Sequence, residues 1–226
     1  MLRIAGDSIS EPGGANAPTT SKYWYEFLAE DLEISYKTYA YSGNQWTDVY
    51  NQLVQMKADE TSTGKKTNVL IIFAGTNDYY FNTPIGEAYS MSSGSRVINL
   101  NDASFKGRVN KALNYARRNF PTAQILVCNI LHRGTFQGSE SELTPNGAGI
   151  FLDEYSKAID EATQLWSMPL IDLRGESQLY PVSEMSSFYT MGANNDMLHP
   201  NNRGHFRIKG LVKARLLSLP TEINLP

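Results

Sequence analysis

Apolar, β-rich runs alternate with runs of helical period along nearly the whole of this 226-residue chain. That alternation is the mark of a parallel sheet covered by helices on both faces, because a strand buried on both sides reads as continuous apolar sequence. Strands are expected at residues 2–5, 33–39, 68–74, 124–131 and 169–173. Helices are expected at about 22–30, 47–57, 104–119, 149–166 and 202–217. In the fourth of these, Leu152, Tyr155, Ile159, Ala162 and Trp166 recur at steps of three and four and draw one apolar stripe. The expectation is one α/β domain over residues 1–220 followed by a tail, 221–226.

Three connections exceed simple links: residues 79–103, 132–148 and 174–196. Loops beyond about 12–15 residues in a compact domain are often binding loops or lids. Each follows an expected strand, so all three gather at the carboxyl edge of the sheet, where open α/β folds bind ligands.

Composition excludes several partners. The formal net charge is −3 and no cationic cluster exceeds the pairs Lys65-Lys66 and Arg117-Arg118, so nucleic acid and anionic membrane surfaces find no electrostatic footprint. No segment approaches a membrane span, so no membrane insertion is expected, and the first residues lack the basic and apolar regions of a signal peptide. Compartment and oligomeric state stay open at this level. The single cysteine, Cys128, lies in the apolar run 125–131 and reads as a small buried hydrophobe without a disulfide partner in the chain.

Candidate chemistry begins at Ser8, which directly follows the first strand in Gly6-Asp7-Ser8. Alone it reads as a turn serine. Two further phrases, Tyr41-Ser42-Gly43-Asn44 and Ala74-Gly75-Thr76-Asn77-Asp78, close the second and third strands and put a glycine and an asparagine on the same edge. Acyl transfer develops an oxyanion that needs N–H donors aimed at one point; Gly43 offers a backbone N–H and Asn77 an amide. The chain has three histidines. His199 carries Asp196 three residues earlier and leads through Pro200 and Asn201 into the last helix. His205 reads as a polar residue of that helix's first turn, and His132 as a loop or substrate-rim residue. An imidazole with an ordinary pKa of about 6.5 is suited to take a serine proton near neutrality.

In these blocks the chain resembles the SGNH or GDSL hydrolases. Gly6-Asp7-Ser8 matches the serine block, Gly43 the glycine block, Gly75-Thr76-Asn77-Asp78 the asparagine block and Asp196-Met197-Leu198-His199-Pro200 the histidine block, in order. The resemblance implies a three-layer α/β/α sandwich with a five-stranded parallel sheet. It implies Ser8 as nucleophile, His199 as base and Asp196 as the residue orienting His199. The oxyanion hole would comprise the Ser8 N–H, the Gly43 N–H and the Asn77 side chain; no metal or organic cofactor is implied. Asp7 reads as a structural turn residue. Only five residues precede Gly6, which leaves a short first strand.

Rival motifs are missing. There is no Gly-x-Ser-x-Gly elbow and no His-Glu-x-x-His. Thr63-Gly64-Lys65-Lys66 has Asp59 where a phosphate loop needs its first glycine, and it precedes a strand. Aromatic residues crowd the long connections: Tyr79, Tyr80 and Phe81, then Tyr180, Phe188 and Tyr189, with Asn82, Asn194 and Asn195 nearby. They suit either sugar stacking or loop packing; Tyr79, Tyr80 and His132 are the candidate rim. The expected activity is a serine esterase on short acyl esters, foremost O-acetyl groups of carbohydrate, with a small-molecule or glycan ester as partner. The same residues would serve an acyltransferase, and an idle version would leave a carbohydrate-binding or attachment module.

Overall fold

The computed structural model describes residues 1–13, 21–136, 141–181 and 196–220. Phe188, Tyr189, Asn194, Asn195 and the tail 221–226 lie outside the described residues.

Five parallel strands form the central sheet: β1 (Leu2–Gly6), β2 (Tyr36–Thr38), β3 (Val69–Phe73), β6 (Gln124–Cys128) and β7 (Leu170–Ile171), in the order β2-β1-β3-β6-β7. Their side chains alternate between two cores. Leu70, Ile72, Ile125 and Val127 enter one; Ile71, Phe73, Leu126 and Cys128 enter the other. This is the physical reason β1, β3 and β6 read as continuous apolar runs, since neither face of them meets water, whereas edge strand β2 is exposed to half-buried.

Helices α2 (Trp46–Thr63), α4 (Phe105–Asn119) and α5 (Leu152–Leu165) cover the first face through Trp46, Leu53, Val109, Leu113 and Ile159. Helices α1 (Trp24–Asp31) and α7 (Asn202–Leu217) cover the second through Trp24, Leu28, Ile208 and Val212. The result is the expected three-layer α/β/α sandwich. The predicted stripe on α5 is buried from Leu152 to Ala162, while Trp166 lies just beyond the helix and donates its indole N–H to Asn110 Oδ1 at 3.0 Å. Cys128 is fully buried, and burial pushes its thiol pKa up.

Boundaries moved where periodicity is weakest. The second and fifth strands shrink to 36–38 and 170–171, and α2 runs on to Thr63, where Gly64 ends it in the left-handed conformation. Short helices α3 (Thr76–Tyr80) and α6 (Leu173–Glu176) follow β3 and β7. The expected connection 79–103 contains an antiparallel hairpin, β4 (Tyr89–Ser92) and β5 (Ser95–Ile98), turned by Ser93 and Gly94, both at positive φ. Its side chains are exposed on both faces, so it lacks the apolar alternation that would announce strands.

Candidate active site

Ser8 sits on the turn that follows β1. The turn is built locally: Ser10 N–H donates to the Asp7 carbonyl at 3.0 Å, and Ile9 N–H donates to Asp7 Oδ1 at 3.0 Å. Asp7 is thus a buried turn residue; burial pushes its carboxyl up to about 7 despite the Ile9 N–H, with Asp78 adding repulsion. Gly6 has no room for a side chain, because a Cβ there would stand 2.5 Å from the Phe73 carbonyl oxygen. The glycine lets β1 and β3 close up immediately before Ser8.

His199 reaches the same point from the other end of the chain. Its Nε2 lies 2.8 Å from Ser8 Oγ, and its Nδ1 lies 2.8 Å from Asp196 Oδ2. Asp196 Oδ1 also accepts from the backbone N–H groups of Leu198 and His199, each at 2.9 Å. Burial pushes the Asp196 carboxyl up, but the His199 ring and these two N–H groups outweigh it and hold the group below the ordinary carboxylate range. Charged Asp196 therefore accepts a hydrogen bond from Nδ1–H, which leaves the Nε2 lone pair to accept the Ser8 hydroxyl. Ser8 and His199 are 4% and 2% exposed. Asn201 fixes the approach by capping α7, accepting from the N–H groups of Arg203 at 3.0 Å and Gly204 at 3.2 Å.

Gly43 and Asn77 flank the serine. Gly43 holds φ +79°, a left-handed conformation that strains any L side chain. Asn77 spends one amide hydrogen on the Asn44 carbonyl at 2.9 Å. Its neighbour Asp78 accepts from Trp46 N–H at the start of α2 and from Arg108 at 3.1 Å, which ties α3 to α2 and α4. Burial still pushes the Asp78 carboxyl up to about 7.

A cavity of about 180 Å³ opens over these groups, lined by Ser8, Gly43, Asn77 and His199 together with Ser42, Tyr80, Phe81, Arg133, Phe136 and Leu198. Tyr80 and Phe81 are 51% and 52% exposed at its mouth. Tyr79 does not line it: one residue of helix rotation turns Tyr79 into the core, where its hydroxyl donates to the Thr144 carbonyl at 2.7 Å. His132 does not line it either, because its Nδ1 is drawn 2.6 Å from Glu142 Oε1. His205 lies on the first turn of α7 as expected, but it is fully buried against Tyr23, and burial, with a smaller push from His199, lowers its pKa to about 3.

Sequence reasoning passed over Arg133 and Phe136. Arg133 is buried, donates to Thr76 Oγ1 at 3.2 Å and lies over the Tyr79 ring at 5.6 Å; Phe136 packs edge-on against the His199 ring at 4.9 Å. Both stand in the connection after β6, so the edge rule that singled out Gly43 and Asn77 pointed to them too. Among the described residues no group of three or more His, Cys, Asp or Glu is placed to hold a metal ion, and no helix is long and apolar enough to cross a membrane.

The sequence matches the GDSL-like Lipase/Acylhydrolase family over residues 4–207. No protein of curated function matches it in sequence. Among solved structures, a Lactobacillus plantarum protein shares 24% identity at TM-score 0.76, with 96% of each chain covered. A possible lipase from Chitinophaga pinensis shares 18% identity at TM-score 0.72, with 97% of this chain and 99% of that one covered. An acetyl xylan esterase shares 18% identity at TM-score 0.59, with 95% and 98% covered. These likenesses carry the fold, and the match over 4–207 carries the family. The chain belongs to the GDSL-like lipase/acylhydrolase family and is an ester hydrolase.

Proposed function

We propose that this protein is a serine esterase that removes short acyl groups, foremost O-acetyl, from carbohydrate through an acyl-enzyme. The observation that carries the reading is the unbroken chain from Ser8 Oγ through His199 to Asp196, 2.8 Å at each step, on the wall of a small cavity. Ser8 Oγ attacks the ester carbonyl carbon while its proton passes to His199 Nε2. The carbonyl oxygen, now an oxyanion, takes the N–H groups of Ser8 and Gly43 and the second amide hydrogen of Asn77. Collapse breaks the bond to the alkoxy oxygen, and His199 returns its proton to the departing alcohol. Water repeats the sequence on the acyl-enzyme: His199 takes its proton, the carboxylic acid leaves, and Ser8 recovers its hydrogen. Asp196 stays ionised throughout and balances the imidazolium.

A cavity of about 180 Å³ suits a short acyl group better than a fatty chain. Exposed Tyr80 and Phe81 offer ring faces beside it on which a sugar can stack. The fold shared with an acetyl xylan esterase agrees with that class. The test is hydrolysis of 4-nitrophenyl acetate by the protein and its Ser8→Ala variant, then acetate release from acetylated xylan and a series of esters from acetate to decanoate. Loss of activity with Ser8 and a rate falling with acyl length support the reading. Equal background rates in both proteins, or a rate rising steadily to decanoate, overturn it.

A further inference from the structure

Strand β2 leaves the sheet early. Its last pairing with β1 joins Thr38 to Ile4, and Tyr39 N–H then donates to the Ile4 carbonyl at 2.9 Å. Gly6, two residues on and facing the same side, lies past the last β1–β2 pairing, and its carbonyl accepts a long hydrogen bond from Tyr41 N–H at 3.4 Å. Both its N–H and its C=O are buried, and such groups must be paired.

The Gln52 side chain supplements this fading edge. From the buried face of α2 its Oε1 accepts Gly6 N–H at 2.8 Å, and its Nε2 donates to the Gly6 carbonyl at 2.8 Å. The second Nε2 hydrogen goes to Asn44 Oδ1 at 2.9 Å. Asn44 in turn accepts Asn77 Nδ2 on its carbonyl at 2.9 Å. One amide thus joins the strand end that carries Ser8, the loop that carries Gly43 and the Asn77 side chain. Each strong hydrogen-bonding atom of Gln52 has a partner in this network.

We propose that Gln52 is a positioning residue for catalysis: it ties the end of β1 to Asn44 and fixes the Gly43 and Asn77 donors relative to Ser8. The inference rests on the reading of Ser8, Gly43 and Asn77 given above. Oxyanion stabilisation depends on preorganised donor placement, and a donor tied to its neighbours is better fixed than one held by a short loop alone. Gln52 touches neither substrate nor reacting atoms, so its effect falls on the chemical step.

The test compares wild type, Ser8→Ala, Gln52→Glu and Asn44→Ala on 4-nitrophenyl acetate, with active sites counted by diethyl 4-nitrophenyl phosphate. Gln52→Glu keeps an acceptor for Gly6 N–H and loses both donors. The expected result is a kcat per titrated site lowered by about 10- to 100-fold, short of the ~10²–10³ for outright loss of an oxyanion donor. KM stays within about twofold, and affinity for phenylboronic acid, which mimics the tetrahedral adduct, falls by the same factor as kcat. Asn44→Ala cuts the link to Gln52 alone, is expected to lower kcat by about 3- to 10-fold, and decides the matter should Gln52→Glu fail to fold. Wild-type kcat and phenylboronic acid affinity per titrated site, with a lower melting temperature alone, would overturn the proposal. Wild-type protein no faster than Ser8→Ala would instead overturn the esterase reading itself.

Discussion

Two carboxylate–imidazole pairs stand past the ends of neighbouring strands; one faces a serine, the other a tyrosine ring. In the first, His199 Nδ1 is 2.8 Å from Asp196 and Nε2 is 2.8 Å from Ser8 Oγ. In the second, His132 Nδ1 is 2.6 Å from Glu142 and its ring meets Tyr180 edge-on at 4.9 Å. Both carboxylates are buried, and both are held below their ordinary range against that burial.

The difference lies in what else neutralises the carboxylate. Arg174 contacts both oxygens of Glu142, at 3.2 and 3.3 Å, and Arg133 N–H adds a third bond at 3.0 Å. Among the described residues no lysine or arginine nitrogen comes within 4.0 Å of Asp196, whose ion-pair partner is His199. Its close ion-pair partner is thus the His199 ring, whereas Glu142 is also paired with Arg174. An acid–imidazole contact by itself is thus structural chemistry; a hydroxyl on the far nitrogen and an acid that no described Lys or Arg pairs within 4.0 Å make it suitable for proton transfer.

Removing the acid from the first pair gives the largest expected effect. Asp196→Asn should lower kcat on 4-nitrophenyl acetate by about 10²–10⁴, because the amide no longer holds the Nδ1 proton and the useful tautomer is lost. A loss below about threefold would erase the contrast between the two pairs.

His205 sharpens the contrast as an imidazole with no carboxylate: it is fully buried, with no hydrogen-bond partner for either ring nitrogen among the described residues. Its folded pKa of about 3 lies below the ordinary 6.5, so the unfolded chain binds a proton that the folded chain refuses. Stability contributed by neutral His205 is present above about pH 6.5 and is lost as pH falls toward about 3. Asp7 and Asp78, both raised to about 7, act in the opposite sense: their contribution is complete below about pH 4 and is lost as pH rises through 7. Urea unfolding of wild type and His205→Phe isolates the first trend. At pH 4.5 the variant should gain about 2–3 kcal/mol more over wild type than at pH 7.5; an equal difference at both pH values rejects it.

In the second pair, Glu142→Gln should cost about 1–3 kcal/mol of stability, since Arg174 and the Arg133 N–H lose a charged acceptor, while kcat stays within about threefold. His132→Ala should be smaller still, within about twofold in kcat/KM on 4-nitrophenyl acetate, because the ring stands outside the cavity. A larger drop would bring His132 back to the substrate rim.

Much of this arrangement was legible in the sequence by itself. Continuous apolar strands such as 69–73 and the stripe from Leu152 to Ala162 carry their environment in local periodicity, which needs no knowledge of distant residues. Ser8, Gly43, Asn77, Asp196 and His199 were legible because each stands in a short phrase at a strand end or before a helix, and strand ends in a parallel sheet share one edge. Tertiary structure alone decided the rest. Tyr80 rather than Tyr79 faces the cavity because a short helix, invisible to periodicity, sets the rotation of neighbouring side chains. His132 turned to Glu142, and Gln52 to Gly6 across 46 positions, because a buried polar group must find its partner in space and sequence spacing says nothing of where that partner will be.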